Sequence, residues 1–146
     1  MLFRSLFVAP HLVEHTLRRG FDAGAGLIDP FARAVYLGLL VSEIHPFDDG
    51  NGRIARITMN GELSRASEAR IIIPIVYRNN YLAAMKAATH NASFASLIAA
   101  LRFAQRYTAR IDFTSRATAE ADFARTNALR DANEADLAGL RLRMLD

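Results

Sequence analysis

Two helical segments meeting at one loop constrain this chain more than any other feature. Asp29-Pro30 places a capping side chain before a proline at the first helical position, where the missing N–H loses no bond. Phe31, Val35 and Leu39, with Ala34, Leu37 and Val41, then give an apolar face running to Ile44. That face is broad enough for a largely buried central helix. A second helix is expected from about Arg53 to Ser64, with Ile54, Ile57 and Leu63 as core positions. The residues joining the two helices are His45-Pro46-Phe47-Asp48-Asp49-Gly50-Asn51-Gly52, followed by Arg53-Ile54-Ala55-Arg56.

That loop reads as a phosphate site with a base beside it. Gly50 and Gly52 flank Asn51, and these residue types reach the positive φ values that turn successive backbone N–H groups toward one anion. The start of the following helix adds about half a positive charge at the same place. Arg53 and Arg56 stand three apart in its first turns, so two planar, permanently charged forks can grip outer phosphates. A carboxylate beside phosphates is repelled unless a hard cation such as Mg²⁺ lies between them, which makes Asp49 the candidate metal ligand and leaves Asp48 to solvent. His45 is the best general base in the chain, since a free imidazole titrates near ~6.5 and can deprotonate a hydroxyl for in-line attack on phosphorus. Pro46 is expected to stiffen the turn, and Phe47 to anchor the loop in the core. Taken singly, these residues have ordinary roles as helix cap, turn or surface charge; such roles do not require this order of residue types.

Over these twelve positions the chain resembles the Fic (Fido) family, whose signature His-Pro-Phe-x-(Asp/Glu)-Gly-Asn-Gly-Arg-x-x-Arg is matched at every specified position. The resemblance implies an all-α, Fic-like helical bundle with the active loop between two central helices. It implies a protein adenylyltransferase, which moves AMP from ATP to a hydroxyl side chain of a target protein and releases pyrophosphate. On that resemblance His45 is the base, Asp49 holds Mg²⁺, Gly50, Asn51 and Gly52 form the anion hole, and Arg53 and Arg56 hold the β and γ phosphates. A Doc-type relative has Lys where this chain has Gly52 and phosphorylates its target, so Gly52 favours adenylylation. Two alternatives stand beside this reading: a nucleotide-binding module without transferase activity, and an enzyme transferring another phosphate-bearing group.

The likeness extends less specifically from about Phe7 to Phe113, which sets residues 1–113 as the core and 114–146 as a C-terminal helical extension. Val8-Ala9-Pro10 resembles the end of the family's target-docking flap; the usual N-terminal helix and most of the flap hairpin have no counterpart. That bears on target docking more than on nucleotide binding. The family's inhibitory pattern, (Ser/Thr)-x-x-x-Glu-(Gly/Asn), has no complete copy: Thr58 to Glu62 and Ser64 to Glu68 both fail at the last position. The expected inhibitor is therefore a separate antitoxin-like protein, a lost N-terminal segment, or none.

The remaining sequence sets bounds. At 146 residues, 51% hydrophobic and 23% charged, the chain reads as a soluble globular protein with a real core. No apolar run approaches the roughly 20 residues of a membrane span, and Met1 to Pro10 is too weakly patterned for a signal peptide. The absence of cysteine removes disulfides and thiolate metal sites and fits a cytoplasmic location. The formal charge is +3, but Lys86 is the only lysine and the arginines are scattered, so a nucleic-acid partner is not expected. Ile71 to Val76 is β-branched, with Pro74 arguing for an extended connection. Helices are expected over Arg78–Thr89 and Phe94–Arg110, with Tyr81, Leu82, Met85, Leu97, Ile98, Leu101, Phe103, Ala104 and Tyr107 at helical spacing. Asn80 and Tyr81 could border the adenine, or Tyr81 could pack in the core. The tail from Arg116 to Met144 reads as one or two peripheral helices bearing Leu129, Leu137, Leu140 and Leu142, a packing or homodimer-forming element. His11 and His15 share a helical face near Glu14 but lack a third ligand for a metal.

Overall fold

The computed structural model describes residues 7–146, so the part of the Met1–Pro10 stretch before Phe7 lies outside the described residues. All regular structure among them is helical. Contacts divide the chain into two compact units, one ending at Glu68 and the other spanning Ala69–Asp146.

The first unit contains a 3-10 turn at Pro10–Leu12 and helices α1 (Val13–Ala25), α2 (Pro30–Ile44) and α3 (Asn51–Arg65). The start of α2 follows the sequence expectation, because the Asp29 carboxylate accepts the Ala32 N–H at 2.9 Å and Pro30 opens the helix. Helix α2 is the core of the unit: Phe31, Ala34, Val35, Leu37, Val41 and Ile44 are all buried. It packs tightly against α3 at Gly38, where a Cβ would sit 3.3 Å from the Met59 Cβ and 3.4 Å from the Ala55 carbonyl oxygen. Glycine is what lets the two axes come that near.

The face that α3 buries differs from the expected one. Asn51, Ala55, Met59 and Leu63 form an unbroken i, i+4 stripe, whereas Ile54 is 37% exposed and Ile57 67% exposed. The Ala55 carbonyl lies opposite Gly38, so it is the absent side chain at Gly38 that admits the close contact. A polar tie also joins the pair of helices: Arg33 Nε donates to Glu62 Oε2 at 2.8 Å, and Arg65 donates to the same oxygen at 2.7 Å. Burial pushes the Glu62 carboxyl up, but the hydrogen bonds and charges of Arg65 and Arg33 outweigh it and hold the group below its ordinary range. Helix α1 is tied to α2 by the Tyr36 hydroxyl, which donates to the Gly20 carbonyl at 3.0 Å.

The second unit contains a 3-10 turn at Ile75–Tyr77 and helices α4 (Arg78–Asn91), α5 (Ala95–Thr108), α6 (Arg116–Arg125) and α7 (Ala132–Leu137). The segment before it is extended at Pro74 (φ −61°, ψ 151°) but forms no strand. It is held by side chains of α5, with Gln105 donating to the Ala69 carbonyl at 3.0 Å and the Thr108 hydroxyl accepting the Ile72 N–H at 3.1 Å. Tyr107 is buried and shares a 2.7 Å hydrogen bond with the Thr126 hydroxyl, and burial raises its phenol pKa. On α4 and α5 the buried positions include Ala84, Ala88, Leu97, Leu101 and Ala104, whereas Leu82 and Ile98 face solvent.

The tail uses its leucines only in part, Leu142 packing against the cluster of Tyr107, Ile111, Ala119 and Ala128. Leu129 and Leu137 are exposed, and Ala119, Ala128, Ala132 and Ala135 are buried instead. Helix α6 begins at a capping box in which Ser115 and Thr118 exchange bonds, and α7 begins at the Asp131 cap, so local caps set the break between them.

Candidate active site

The loop from His45 to Gly50 is fixed by its two ends and one clamp. His45 ends α2 in the left-handed conformation (φ 54°, ψ 58°), and its N–H donates to the Val41 carbonyl at 3.1 Å. Gly50, also left-handed (φ 82°), precedes α3 and offers no side chain to cap it. The N–H groups of Asn51, Gly52 and Arg53 therefore stand at the open N-terminus of a 15-residue helix, with the favourable dipole behind them. Gly52 departs from the expectation: it is the second residue of α3 and Gly50 alone of the pair has positive φ. A Cβ at Gly52 would lie 3.4 Å from Arg56 Nη1, so glycine there keeps the helix end open to a ligand and the Arg56 guanidinium unobstructed.

Asn51 holds the loop in shape. It is only 3% exposed, its Oδ1 accepts the Phe47 N–H at 3.0 Å, and its Nδ2 donates to the Phe47 carbonyl at 2.6 Å. Both ends of the amide thus bond the loop backbone, and the Asn51 main-chain N–H stands at the open end of α3. Phe47 itself is 52% exposed, so the loop is anchored by the Asn51 clamp and not by a phenyl ring in the core.

Arg53 and Arg56 follow the open helix end, Arg53 mostly exposed and Arg56 half-buried. Arg53 Nη2 is 3.5 Å from Asp49 Oδ2, a solvent-screened contact with side chains 72% and 95% exposed. Arg56 forms no ion pair with any described residue. The His45 Nδ1 lies 3.4 Å from the Ser42 carbonyl, and a carbonyl can only accept, so this contact becomes a hydrogen bond only when Nδ1 carries the proton. The Nε2 lone pair is then free to act as a base.

One feature of the site had no signal in local sequence. The Phe7 ring stacks on the His45 ring, with centroids 3.9 Å apart and planes at 15°. The two residues are far apart in the chain, and nothing in the spacing of either points to the other.

These residues are assembled in the first unit. Residues 2–63 match the model of the Fic/DOC family. The protein adenylyltransferase fic-1 of Caenorhabditis elegans is 36% identical over 67 residues, covering 46% of this chain and 13% of the relative. The protein adenylyltransferase Fic of Drosophila persimilis is 41% identical over 61 residues, 42% of this chain and 12% of the relative. That of Nematostella vectensis is 47% identical over 47 residues, 32% and 11% of the two chains. The chain therefore spans no more than about 13% of the length of these relatives. Asn80 and Tyr81 fall outside the Fic/DOC match, on α4 of the second unit, where Asn80 lines a groove between α4 and α5 and Tyr81 is half-buried. No group of three or more His, Cys, Asp or Glu side chains among the described residues could by itself hold a metal ion. None of the described helices is long and apolar enough to cross a membrane.

Proposed function

We propose that this chain transfers AMP from ATP to a Ser, Thr or Tyr hydroxyl of a target protein. The observation that carries the reading is the open N-terminus of α3, joined by a short loop to a histidine whose Nδ1 faces a backbone carbonyl. The main-chain N–H groups of Asn51, Gly52 and Arg53 would cradle phosphate oxygens, and the Arg53 and Arg56 forks would hold the β and γ phosphates. His45 Nε2 would take the proton of the target hydroxyl as its oxygen bonds to the α phosphorus. The bond from that phosphorus to the bridging oxygen then breaks, and pyrophosphate leaves with the electron pair. General-base assistance of this kind contributes about 10²–10⁴ in rate, and each preorganised donor to the transition-state charge roughly 3 kcal/mol.

Asp49 fits a magnesium ion that arrives on the nucleotide. A single exposed carboxylate cannot form a cage, but Mg²⁺ is commonly held by one or two carboxylates together with substrate phosphates and water. Bound there, the ion would neutralise phosphate charge, and Asp49 would exchange its Arg53 contact for it.

The test is intact-mass spectrometry of proteins incubated with this chain and Mg²⁺-ATP. The reading expects a mass increase of one AMP on a Ser, Thr or Tyr, lost in His45→Ala while ATP affinity is retained. Addition of phosphate alone, or equal labelling by His45→Ala, would reject it. Adding an antitoxin-like protein to the same assay checks inhibition in trans.

A further inference from the structure

We propose that Phe7 is a positioning residue for His45, an inference that rests on His45 serving as the base. The pair is nearly parallel at 15°, whereas the other aromatic pairs among the described residues are tilted at 36° and 66°. At a centroid separation of 3.9 Å the phenyl ring covers one face of the imidazole and excludes water from it. Phe7 is itself 49% exposed, so the core does not account for where its ring lies.

Two consequences follow from the chemistry of the pair. The first is orientation: the Ser42 carbonyl marks the position of Nδ1 at one edge of the ring, and the Phe7 face resists the ring flip that would exchange Nδ1 for Cδ2. Nε2 is thereby kept on the side away from α2, and a substrate hydroxyl must approach through the uncovered edge. The second is charge. When the imidazole accepts the proton it becomes a cation, and an aromatic face attracts a cation more than the neutral ring that preceded it. An interaction that grows along the reaction coordinate raises kcat without tightening the ground-state complex.

The test compares the full chain with Phe7→Leu, which keeps an apolar side chain but removes the ring, and with Phe7→Tyr, which keeps the stack. Phe7→Leu is expected to lower kcat about three- to tenfold at unchanged KM for ATP, and Phe7→Tyr to restore it. A second readout does not depend on turnover: in ring-labelled histidine NMR spectra, the His45 ring protons should lie upfield in the wild type and in Phe7→Tyr, and move downfield in Phe7→Leu. An unmoved His45 signal, or a moved signal with unchanged kcat, overturns the proposal. A wild type that transfers no AMP, while the signal still moves in Phe7→Leu, defeats the base assignment and supports the ring placement by Phe7.

Discussion

Replacing Asn51 tests whether one buried amide keeps the phosphate loop in shape. Its two hydrogen bonds to the Phe47 backbone, at 3.0 and 2.6 Å, are each worth about 0.5–1.5 kcal/mol net, so Asn51→Ala removes about 1–3 kcal/mol of loop order. Apparent affinity scales with the fraction of chains whose loop is competent, so that loss sets a ceiling of about 5- to 150-fold on the weakening of ATP binding. Asn51→Asp is intermediate in design: it still accepts the Phe47 N–H but sets a negative oxygen against the Phe47 carbonyl. Hydrogen exchange at the Phe47 amide and titration calorimetry with ATP read the two effects separately. The expected order of ATP affinity is wild type, then the variants, with faster Phe47 exchange in Asn51→Ala. If the Phe47 amide stays protected and ATP affinity holds within about twofold in Asn51→Ala, the clamp does not shape the site.

Other expectations concern the scaffold beneath the loop. Gly38→Val forces a branched side chain into the α2–α3 contact, where even a Cβ would meet Met59 and the Ala55 carbonyl more closely than ordinary packing allows, and should destabilise by about 1–3 kcal/mol in urea unfolding; an unchanged midpoint would show that the helices separate freely. The Glu62 tie predicts an acid-sensitive contribution, because its folded pKa is held below the unfolded value. That stability is fully present above the ordinary glutamate pKa of about 4.3 and is lost as pH falls through the lowered folded value. Stability against pH in Glu62→Gln should therefore run flatter than the wild type below about pH 4.3, and superimposable curves would remove Glu62 from the account.

Legibility in the sequence followed the range of the interactions. The start of α2 was readable because Asp29 and Pro30 act on the turn directly beside them, and the abrupt end at His45-Pro46 is equally local. The loop residues were readable as a group because their order carries chemistry. What they do individually was less so: the clamp of the Asn51 side chain on Phe47 had no signal in the sequence, and Gly52 continues α3 instead of turning the loop. Ile54 and Ile57 misled because hydrophobicity alone does not fix which face of a helix packs, and the stripe of α3 that is buried is Asn51, Ala55, Met59 and Leu63. In the tail Leu142 packs against the cluster around Tyr107 and Ile111, whereas Leu129 and Leu137 are exposed and alanines take the buried positions. The stack of Phe7 on His45 is a long-range contact and had no periodic signature to find.

The central claim is that the first turn of α3 receives the nucleotide's phosphates. Titrating ¹⁵N-labelled chain with Mg²⁺-ATP measures it most directly. The account predicts saturable shifts at the Asn51, Gly52 and Arg53 amides and at the Arg56 guanidinium, reproduced by inorganic tripolyphosphate at the same positions. Saturation of ATP binding with those signals unmoved, and shifts confined to the α4–α5 groove around Asn80, would place the nucleotide elsewhere and remove the basis for catalysis by His45.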